Sequence, residues 1–207
     1  HSTMSTARPW QVLCYGDSLT AGTSPGHSDA PYAPYLEQVL QARGVPAVVR
    51  HHGLPGWTSA QMVAEASVES VGVQSAIWSF SPALAILLAG TNDLAYFDDA
   101  NTITESILQL HRLCHQEGVP HTLAVGIPSS GYQSMNAQAA SLAQSVNENL
   151  ERFCQSEPKS TFVNFPFGFA RGDDRWSFDG LHFTPKGYQV LGESLAPVVE
   201  GILTGHN

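Results

Sequence analysis

Four short polar segments contain the residues of this chain whose types could carry out chemistry. Ser18 lies near the start of the chain, and Asp179 and His182 lie three residues apart near its end. A serine hydroxyl becomes a useful nucleophile when a histidine takes its proton, and an aspartate can orient that histidine. Gly56, whose backbone a substrate can approach closely, and the side-chain amide of Asn92 add hydrogen-bond donors. Such a set is suited to nucleophilic attack on a carbonyl group.

Each segment also has an ordinary structural interpretation. Residues 16–18 could form a turn and a helix cap, residues 92–93 a helix start, and residues 179–180 a tight turn. The joint occurrence of all four segments with a suitably placed histidine favours the catalytic interpretation. We expect Asp17 and Asp93 to be structural and to accept hydrogen bonds from nearby backbone N–H groups.

Apolar runs and helical patterns alternate along the chain, and the polar segments follow the apolar runs. Residues 83–89 are apolar without alternation, as in a central strand that is covered on both faces. Further strands are predicted at 12–15, 47–50, 123–125 and 161–163, with helices at 34–43, 60–67, 102–117 and 137–154 and a last one from Pro185. This alternation predicts a parallel sheet with helices on both faces, and loops beyond the strands' carboxyl ends that carry Ser18 and the other polar segments.

The polar segments match a known family in both residue type and order. The blocks are Gly16-Asp17-Ser18-Leu19 with Gly22, then Gly56, then Gly90-Thr91-Asn92-Asp93, then Asp179-Gly180-Leu181-His182. Over nearly its whole length the chain thus resembles the GDSL, or SGNH, hydrolases. The resemblance implies an α/β fold, a three-layer α/β/α sandwich with a central parallel five-stranded sheet of flavodoxin-like type. It also implies ester hydrolysis without a metal or other cofactor.

The resemblance also implies a role for each candidate residue. Ser18 is the expected nucleophile, His182 the base and Asp179 the acid that orients the histidine. The expected oxyanion hole consists of the backbone N–H groups of Ser18 and Gly56 and the side-chain amide of Asn92. In the second block the family often has an asparagine a few residues before the glycine, where this chain has His51-His52-Gly53. We therefore expect different hydrogen bonds around Gly56.

The substrate stays open within this family. The leading hypothesis is hydrolysis of short-chain carboxylic esters through an acyl-enzyme. The alternatives are O-deacetylation of carbohydrates, and lysophospholipase or thioesterase activity on long acyl chains. A conventional α/β-hydrolase would have G-x-S-x-G, and a nucleotide-binding protein would have a glycine-rich phosphate loop after the first strand; neither motif follows the first strand here. A catalytically silent binding module is the non-enzyme alternative.

Aromatic residues are dense in the segments around the expected cleft. Trp57, Tyr96 and Phe178 are the tentative substrate-binding residues, and they favour an apolar or aromatic ester group. The full set is Trp57, Tyr96, Phe97, Phe165, Phe167, Phe169, Trp176, Phe178 and Phe183.

The composition restricts the partners of the protein. A formal net charge of −9 over 207 residues, without a basic cluster, argues against nucleic acid and anionic membrane surfaces. No apolar run approaches the length of a membrane-spanning helix, so no stable membrane insertion is expected. The expected partner is a small-molecule ester, and the sequence leaves the oligomeric state open.

Two further expectations concern metals and the ends of the chain. His111 and His115 are four residues apart, but no third ligand is evident, and we expect them on a solvated helix face. Residues 1–4 resemble a cloning remnant, and residues 5–207 are expected to form a single domain. No secretory signal is recognised, which favours the cytoplasm, although secretion would fit if a signal peptide had been removed.

Overall fold

A five-stranded parallel sheet forms the centre of the computed structural model, which describes residues 8–205. The strands follow the apolar runs of the sequence and lie in the order β2-β1-β3-β4-β5. Their bounds are Trp10–Gly16 for β1, Ala47–Gly53 for β2, Leu84–Leu88 for β3, His121–Val125 for β4 and Ser160–Val163 for β5. The predicted parallel five-stranded sheet is confirmed. The expected remnant at residues 1–4 lies outside the described residues.

Helices connect the strands and cover both faces of the sheet. Their bounds are Ser18–Ala21 for α1, Tyr32–Ala42 for α2, Ser59–Ala64 for α3, Val73–Phe80 for α4, Ala100–Gln116 for α5, Gly131–Met135 for α6, Ala137–Ser156 for α7 and Pro185–Thr204 for α8. A short 3₁₀ turn spans Asn92–Ala95. Sequence patterns did not predict α4 or α6. Both are short. Helix α4 begins after Gly72 without a side-chain cap, whereas α6 is capped by Ser130 but has only five residues.

Burial on both sides of the sheet explains the apolar strands. Val12 and Cys14 of β1 pack with α2 and α8 on one face, whereas Leu13 and Tyr15 pack with α3, α4 and α5 on the other. All five residues of β3 are buried, as expected for a central strand. Helix α7 packs against α5 and completes the second helical layer. The result is the predicted α/β/α sandwich.

Within residues 8–205 no helix combines the length and apolar character that crossing a membrane requires.

Candidate active site

Ser18 is placed by the junction between β1 and α1. Strand β1 ends at Gly16, where a Cβ atom would lie 2.1 Å from the carbonyl oxygen of Leu88, so only glycine allows β3 to approach this closely. Asp17 then caps α1, because its Oδ1 accepts a hydrogen bond from the backbone N–H of Leu19 at 3.0 Å. Ser18 is consequently the first residue of a helix and is only 8% exposed. The expectation of an open loop at Ser18 was wrong because the aspartate starts the helix at once.

A chain of side-chain hydrogen bonds joins Ser18 to the end of the sequence. His182 Nε2 lies 3.0 Å from Ser18 Oγ, although 164 residues separate them. His182 Nδ1 lies 2.6 Å from Asp179 Oδ2. The other carboxylate oxygen of Asp179 accepts the backbone N–H groups of Leu181 and His182, both at 2.9 Å. Asp179 therefore fixes the backbone of this turn and the ring of His182 together.

The electrostatics of Asp179 favour its charged form. Burial acts to raise the pKa of this carboxyl, but hydrogen bonds from His182 and from the backbone of Leu181 outweigh it and hold the pKa below its usual value. The side chains of Asp179 and His182 are 28% and 18% exposed, so water reaches the pair and screens it in part. Asp179 is therefore ionised throughout the neutral range.

The segment that carries His182 is a closed turn with a rigid support. The backbone N–H of Ser177 donates to the carbonyl of His182 at 2.9 Å, and Gly180 adopts a φ of +64°, which favours glycine. The backbone N–H of Gly131, the first residue of α6, donates to the carbonyl of Gly180 at 2.7 Å. Helix α6 thus anchors the turn that presents the histidine.

Some aromatic residues of this region support the turn that carries His182, and others line a cavity beside Asp179. Phe167, Trp176 and Phe183 are buried, and their ring centroids lie 4.8–5.9 Å apart. Phe165 packs on Phe167 and Phe183. These edge-to-face contacts form a local core next to the histidine.

The backbone donors of the second block lie beside the end of β1. The N–H of Leu54 donates to the carbonyl of Gly16 at 2.8 Å, and the N–H of Trp57 closes a turn onto Leu54 at 3.1 Å. Within this turn Gly56 has a φ of +83°, and a Cβ atom there would point into open space. Among residues 8–205 no acceptor is found for the backbone N–H of Gly56 or of Ser18. Both N–H groups are therefore free to bind a ligand.

Asn92 of the third block is tied to the same turn. Its Nδ2 donates to the carbonyl of Trp57 at 2.8 Å, which uses one of the two amide hydrogens. Its neighbour Asp93 is completely buried and binds the backbone N–H and the hydroxyl of Ser59. Ser18, Gly56 and Asn92 thus follow the carboxyl ends of the adjacent strands β1, β2 and β3.

Asp17 and Asp93 hold loops through backbone N–H groups, as expected from the sequence. Asp17 is also buried, and this burial raises its pKa to about 7 despite the hydrogen bond from Leu19. Burial likewise raises the pKa of Asp93, against the hydrogen bonds from Ser59. Sequence reasoning did not single out Ser59, although the Thr58-x-x-Gln61 capping box, which the structure contains, marks the start of its helix.

Two cavities flank the candidate residues. The first has a volume of about 450 Å³, and its lining is Gly56, Thr58, Ala60, Gln61, Ala64, Tyr96 and Phe97. The second, of about 670 Å³, lies on the side of Asp179 and includes Phe178, which is 90% exposed, with Arg171 and Ser134 in its wall. The ring of Trp57 is half-buried against the core. Of the tentative substrate-binding residues, Tyr96 thus borders the first cavity and Phe178 the second.

Of the two histidines of α5, His111 does not lie on a solvated face as expected, whereas His115 is half-buried. His111 is completely buried, and its Nδ1 lies 2.7 Å from the hydroxyl of Thr122 on β4. Burial, with a smaller contribution from the charge of His115, lowers the pKa of His111 to about 3. His111 is four residues after the buried Ile107, so it continues the apolar face of the helix. In the part of the chain that the structure describes, no three potential ligands group into a metal site.

Comparisons with known proteins concern the family and the fold of the chain. A family model described as the GDSL-like lipase/acylhydrolase family matches residues 14–190. A search of curated proteins finds no match. Among solved structures, a Clostridium thermocellum family 3 carbohydrate esterase is similar with a TM-score of 0.73 and 17% identity, covering 97% of this chain and 100% of that one.

Two other esterase structures are similar over most of their length. The Enterococcus faecalis lipase/acylhydrolase has a TM-score of 0.70 and 18% identity, with 93% of this chain and 96% of that chain covered. Esterase EstA from Pseudoalteromonas sp. has a TM-score of 0.69 and 16% identity, with 94% and 98% covered. At these identities the likeness shows a shared fold.

Proposed function

The chain belongs to the GDSL-like lipase/acylhydrolase family and is a carboxylic ester hydrolase, and we propose that Ser18, His182 and Asp179 carry out the hydrolysis. The observation that carries this proposal is the continuous hydrogen-bonded path from Ser18 Oγ to His182, at 3.0 Å, and on to Asp179, at 2.6 Å. These separations lie within the range expected of a nucleophile, its base and an orienting acid. We further propose that residues 5–207 form one catalytic domain.

In the acylation step, Ser18 Oγ attacks the ester carbonyl carbon and His182 Nε2 takes the hydroxyl proton. The carbonyl oxygen gains a negative charge, which the N–H groups of Ser18 and Gly56 and the amide of Asn92 bind. When the tetrahedral intermediate collapses, the bond to the alcohol oxygen breaks and His182 returns the proton to that oxygen. Asp179 keeps its negative charge and balances the imidazolium between the two proton transfers.

In the deacylation step, water replaces the alcohol. His182 takes a proton from the water, whose oxygen attacks the acyl carbon, and the same donors bind the second oxyanion. Collapse releases the carboxylic acid, and His182 protonates the departing Ser18 Oγ. The proton balance therefore requires only the imidazole and one water molecule in each cycle.

The first cavity suits an apolar acyl group. Gly56 lies in its wall, so a carbonyl oxygen bound at the Gly56 N–H brings the acyl carbon to this cavity. The alcohol must instead lie near His182, which protonates it. Ala60, Ala64 and the rings of Tyr96 and Phe97 give the lining its apolar character. Short-chain acyl esters are the leading proposed substrates, and esters of longer chains are the alternative.

A second candidate substrate is an acetylated carbohydrate. The cavity beside Asp179 presents hydroxyl, guanidinium and carboxylate groups next to the exposed ring of Phe178. Polar groups around an aromatic ring suit a sugar alcohol as the leaving group. One similar structure is named a carbohydrate esterase, although at 17% identity that likeness concerns the fold.

The nucleophile is tested with Ser18→Ala, which should remove both ester turnover and covalent labelling by a fluorophosphonate. Ser24→Ala is the matched control, because Ser24 is also buried, at 3% exposure, and its hydroxyl has no partner among the described residues. The control should keep both activities. Turnover or labelling that persists in a folded Ser18→Ala protein would refute the assignment.

The substrate is tested with p-nitrophenyl esters of increasing acyl length and with an acetylated sugar. The proposal expects the highest kcat/KM for the shortest acyl chains. A preference for long chains would indicate lysophospholipase or thioesterase activity, and a much faster rate on the sugar would indicate a carbohydrate deacetylase. If the parent protein neither turns over any ester nor reacts with the fluorophosphonate, the binding-module alternative is supported.

A further inference from the structure

Asp93 and Ser59 form a buried hydrogen-bonded pair between the two segments that carry Asn92 and Gly56. Asp93 Oδ1 accepts the backbone N–H of Ser59 at 2.9 Å, and Asp93 Oδ2 accepts the Ser59 hydroxyl at 2.6 Å. Both residues are 0% exposed, so water does not compete for these bonds. The residues are 34 positions apart in sequence, and their contact therefore determines how the two segments lie together.

A second bond runs parallel to this pair. Asn92 Nδ2 donates to the carbonyl of Trp57 at 2.8 Å. Asn92 directly precedes Asp93 on one segment, and Trp57 lies two residues before Ser59 on the other. Two bonds at neighbouring positions restrict both the separation and the rotation of the segments. Gly56 directly precedes Trp57, so the direction of its N–H depends on the same contact.

We propose that Asp93 and Ser59 are positioning residues that hold Gly56 and Asn92 at the spacing required to bind an oxyanion. This inference rests on the proposed role of Gly56 and Asn92 as oxyanion donors. Such donors stabilise the transition state only if they are fixed in advance, and a misplacement of about 1 Å can cost about 100-fold in rate. The alternative is a purely structural pair, which would contribute to stability and leave the chemical step unchanged.

The chain offers a matched control at the other edge of the sheet. Ser160 is also buried, at 5% exposure, and its Oγ lies 2.7 Å from the hydroxyl of Thr122. Ser160 begins β5, at the amino end of the strands, whereas Ser59 lies at the carboxyl ends. Ser160 Oγ also lies 3.1 Å from His115 Nε2. Ser59→Ala and Ser160→Ala therefore each remove one buried, hydrogen-bonded hydroxyl, the first near the candidate site and the second far from it.

The experiment measures kcat, KM and thermal unfolding of both variants with p-nitrophenyl acetate. Both should unfold at a lower temperature than the parent. Only Ser59→Ala should lower kcat, by about tenfold with KM changed by less than about threefold, because a poorly placed donor weakens binding of the transition state more than of the substrate. An equal loss of kcat in Ser160→Ala, or an unchanged kcat in Ser59→Ala, would overturn the proposal.

Two substitutions of Asp93, one mild and one severe, test the same proposal independently. Asp93→Asn keeps a carbonyl oxygen for the N–H of Ser59 and an NH₂ group that can donate to its hydroxyl, so it should keep most of kcat. Asp93→Ala removes both bonds and should lower kcat by about 100-fold. If Asp93→Ala does not fold, Ser59→Ala and Asp93→Asn still decide the question. An Asn variant as impaired as a folded Ala variant would contradict the role of the hydrogen bonds.

Two readouts separate this role from stability and from the proposed function. The first readout is the rate on an oxygen ester divided by the rate on its thiono analogue. This ratio reports on the oxyanion donors, since sulfur is the poorer hydrogen-bond acceptor. The ratio should fall in Ser59→Ala and stay unchanged in Ser160→Ala. The NMR signals of the Asn92 side-chain amide report its position without any turnover. If the parent lacks esterase activity but Ser59→Ala alone shifts these signals, the proposed function fails and the positioning stands. Signals that do not move in Ser59→Ala refute the positioning.

Discussion

Replacing Asp179 by asparagine tests the orienting acid with almost no change of shape. The side-chain oxygen of the asparagine can still accept the backbone N–H groups of Leu181 and His182, which Asp179 Oδ1 accepts at 2.9 Å. What changes is the contact with His182 Nδ1, now 2.6 Å from a carboxylate oxygen. An NH₂ group placed there donates to Nδ1 and favours the tautomer whose Nε2 carries the hydrogen. That tautomer cannot take the proton of Ser18.

The size of the effect follows from the exposure of the pair. Unit charges about 4 Å apart attract by about 1 kcal/mol in bulk water and about 4 kcal/mol near a protein surface. Because the side chains of Asp179 and His182 are 28% and 18% exposed, we take about 2 kcal/mol for the lost attraction. A hydrogen bond that favours the wrong tautomer adds about 1 to 3 kcal/mol. Together these terms predict a kcat lowered by about 10²- to 10⁴-fold.

The assay is kcat/KM against pH for the parent and for Asp179→Asn, with a chelator present. The pKa of Asp179 lies below its usual value, so the carboxylate is charged throughout the neutral range and can balance the imidazolium that forms during each proton transfer. Because that charge is present across the whole range, Asp179→Asn should be slower by a similar factor at every pH from about 6 to 9. Asp174→Asn is the control, because this exposed residue of the same loop pairs with Lys186. Full activity in Asp179→Asn, or a loss confined to one end of the neutral range, would refute the orienting role of Asp179.

Three other changes test separate parts of the structure. Asn92→Ala should lower kcat by about 10²- to 10³-fold and change KM little, because its amide binds charge that develops only in the transition state; a pure KM effect would make it a substrate-binding residue. Ala64→Phe narrows the first cavity and should reduce kcat/KM for butyrate and longer esters, with little effect on acetate esters. Equal losses of kcat/KM on all chain lengths would place the acyl group outside this cavity. His111→Gln tests the effect of a buried imidazole on stability. The pKa of His111 is about 3 in the folded protein, whereas it is about 6.5 in the unfolded chain. Between these values the unfolded chain binds one more proton, so stability is lost as the pH falls below about 6.5. Between pH 7 and 4 the parent should lose about 3 kcal/mol more than the Gln variant, measured by urea unfolding at each pH, and parallel losses would contradict the buried neutral imidazole.

Local features of the sequence were sufficient to predict the sheet and the candidate residues. The unbroken apolar run of β3 predicts a strand covered on both faces, and Thr184 with Pro185 predicts the start of α8. These signals are local because backbone geometry repeats every two residues in a strand and every 3.6 in a helix. The blocks around Ser18 and His182 are recognised from residue type and order, which again requires no contact between them.

The sequence alone could not determine which distant residues meet. The bonds from Asn92 to Trp57 and from Asp93 to Ser59 join residues 35 and 34 positions apart, and no pattern in the chain announces them. The burial of His111 likewise depends on packing of α5 against β4. Such contacts arise when the strand order places segments that are distant in sequence side by side. Residue types therefore determine which chemistry this chain can perform. The distances between the reacting groups depend on the tertiary structure, because only the tertiary structure sets how segments far apart in sequence pack together.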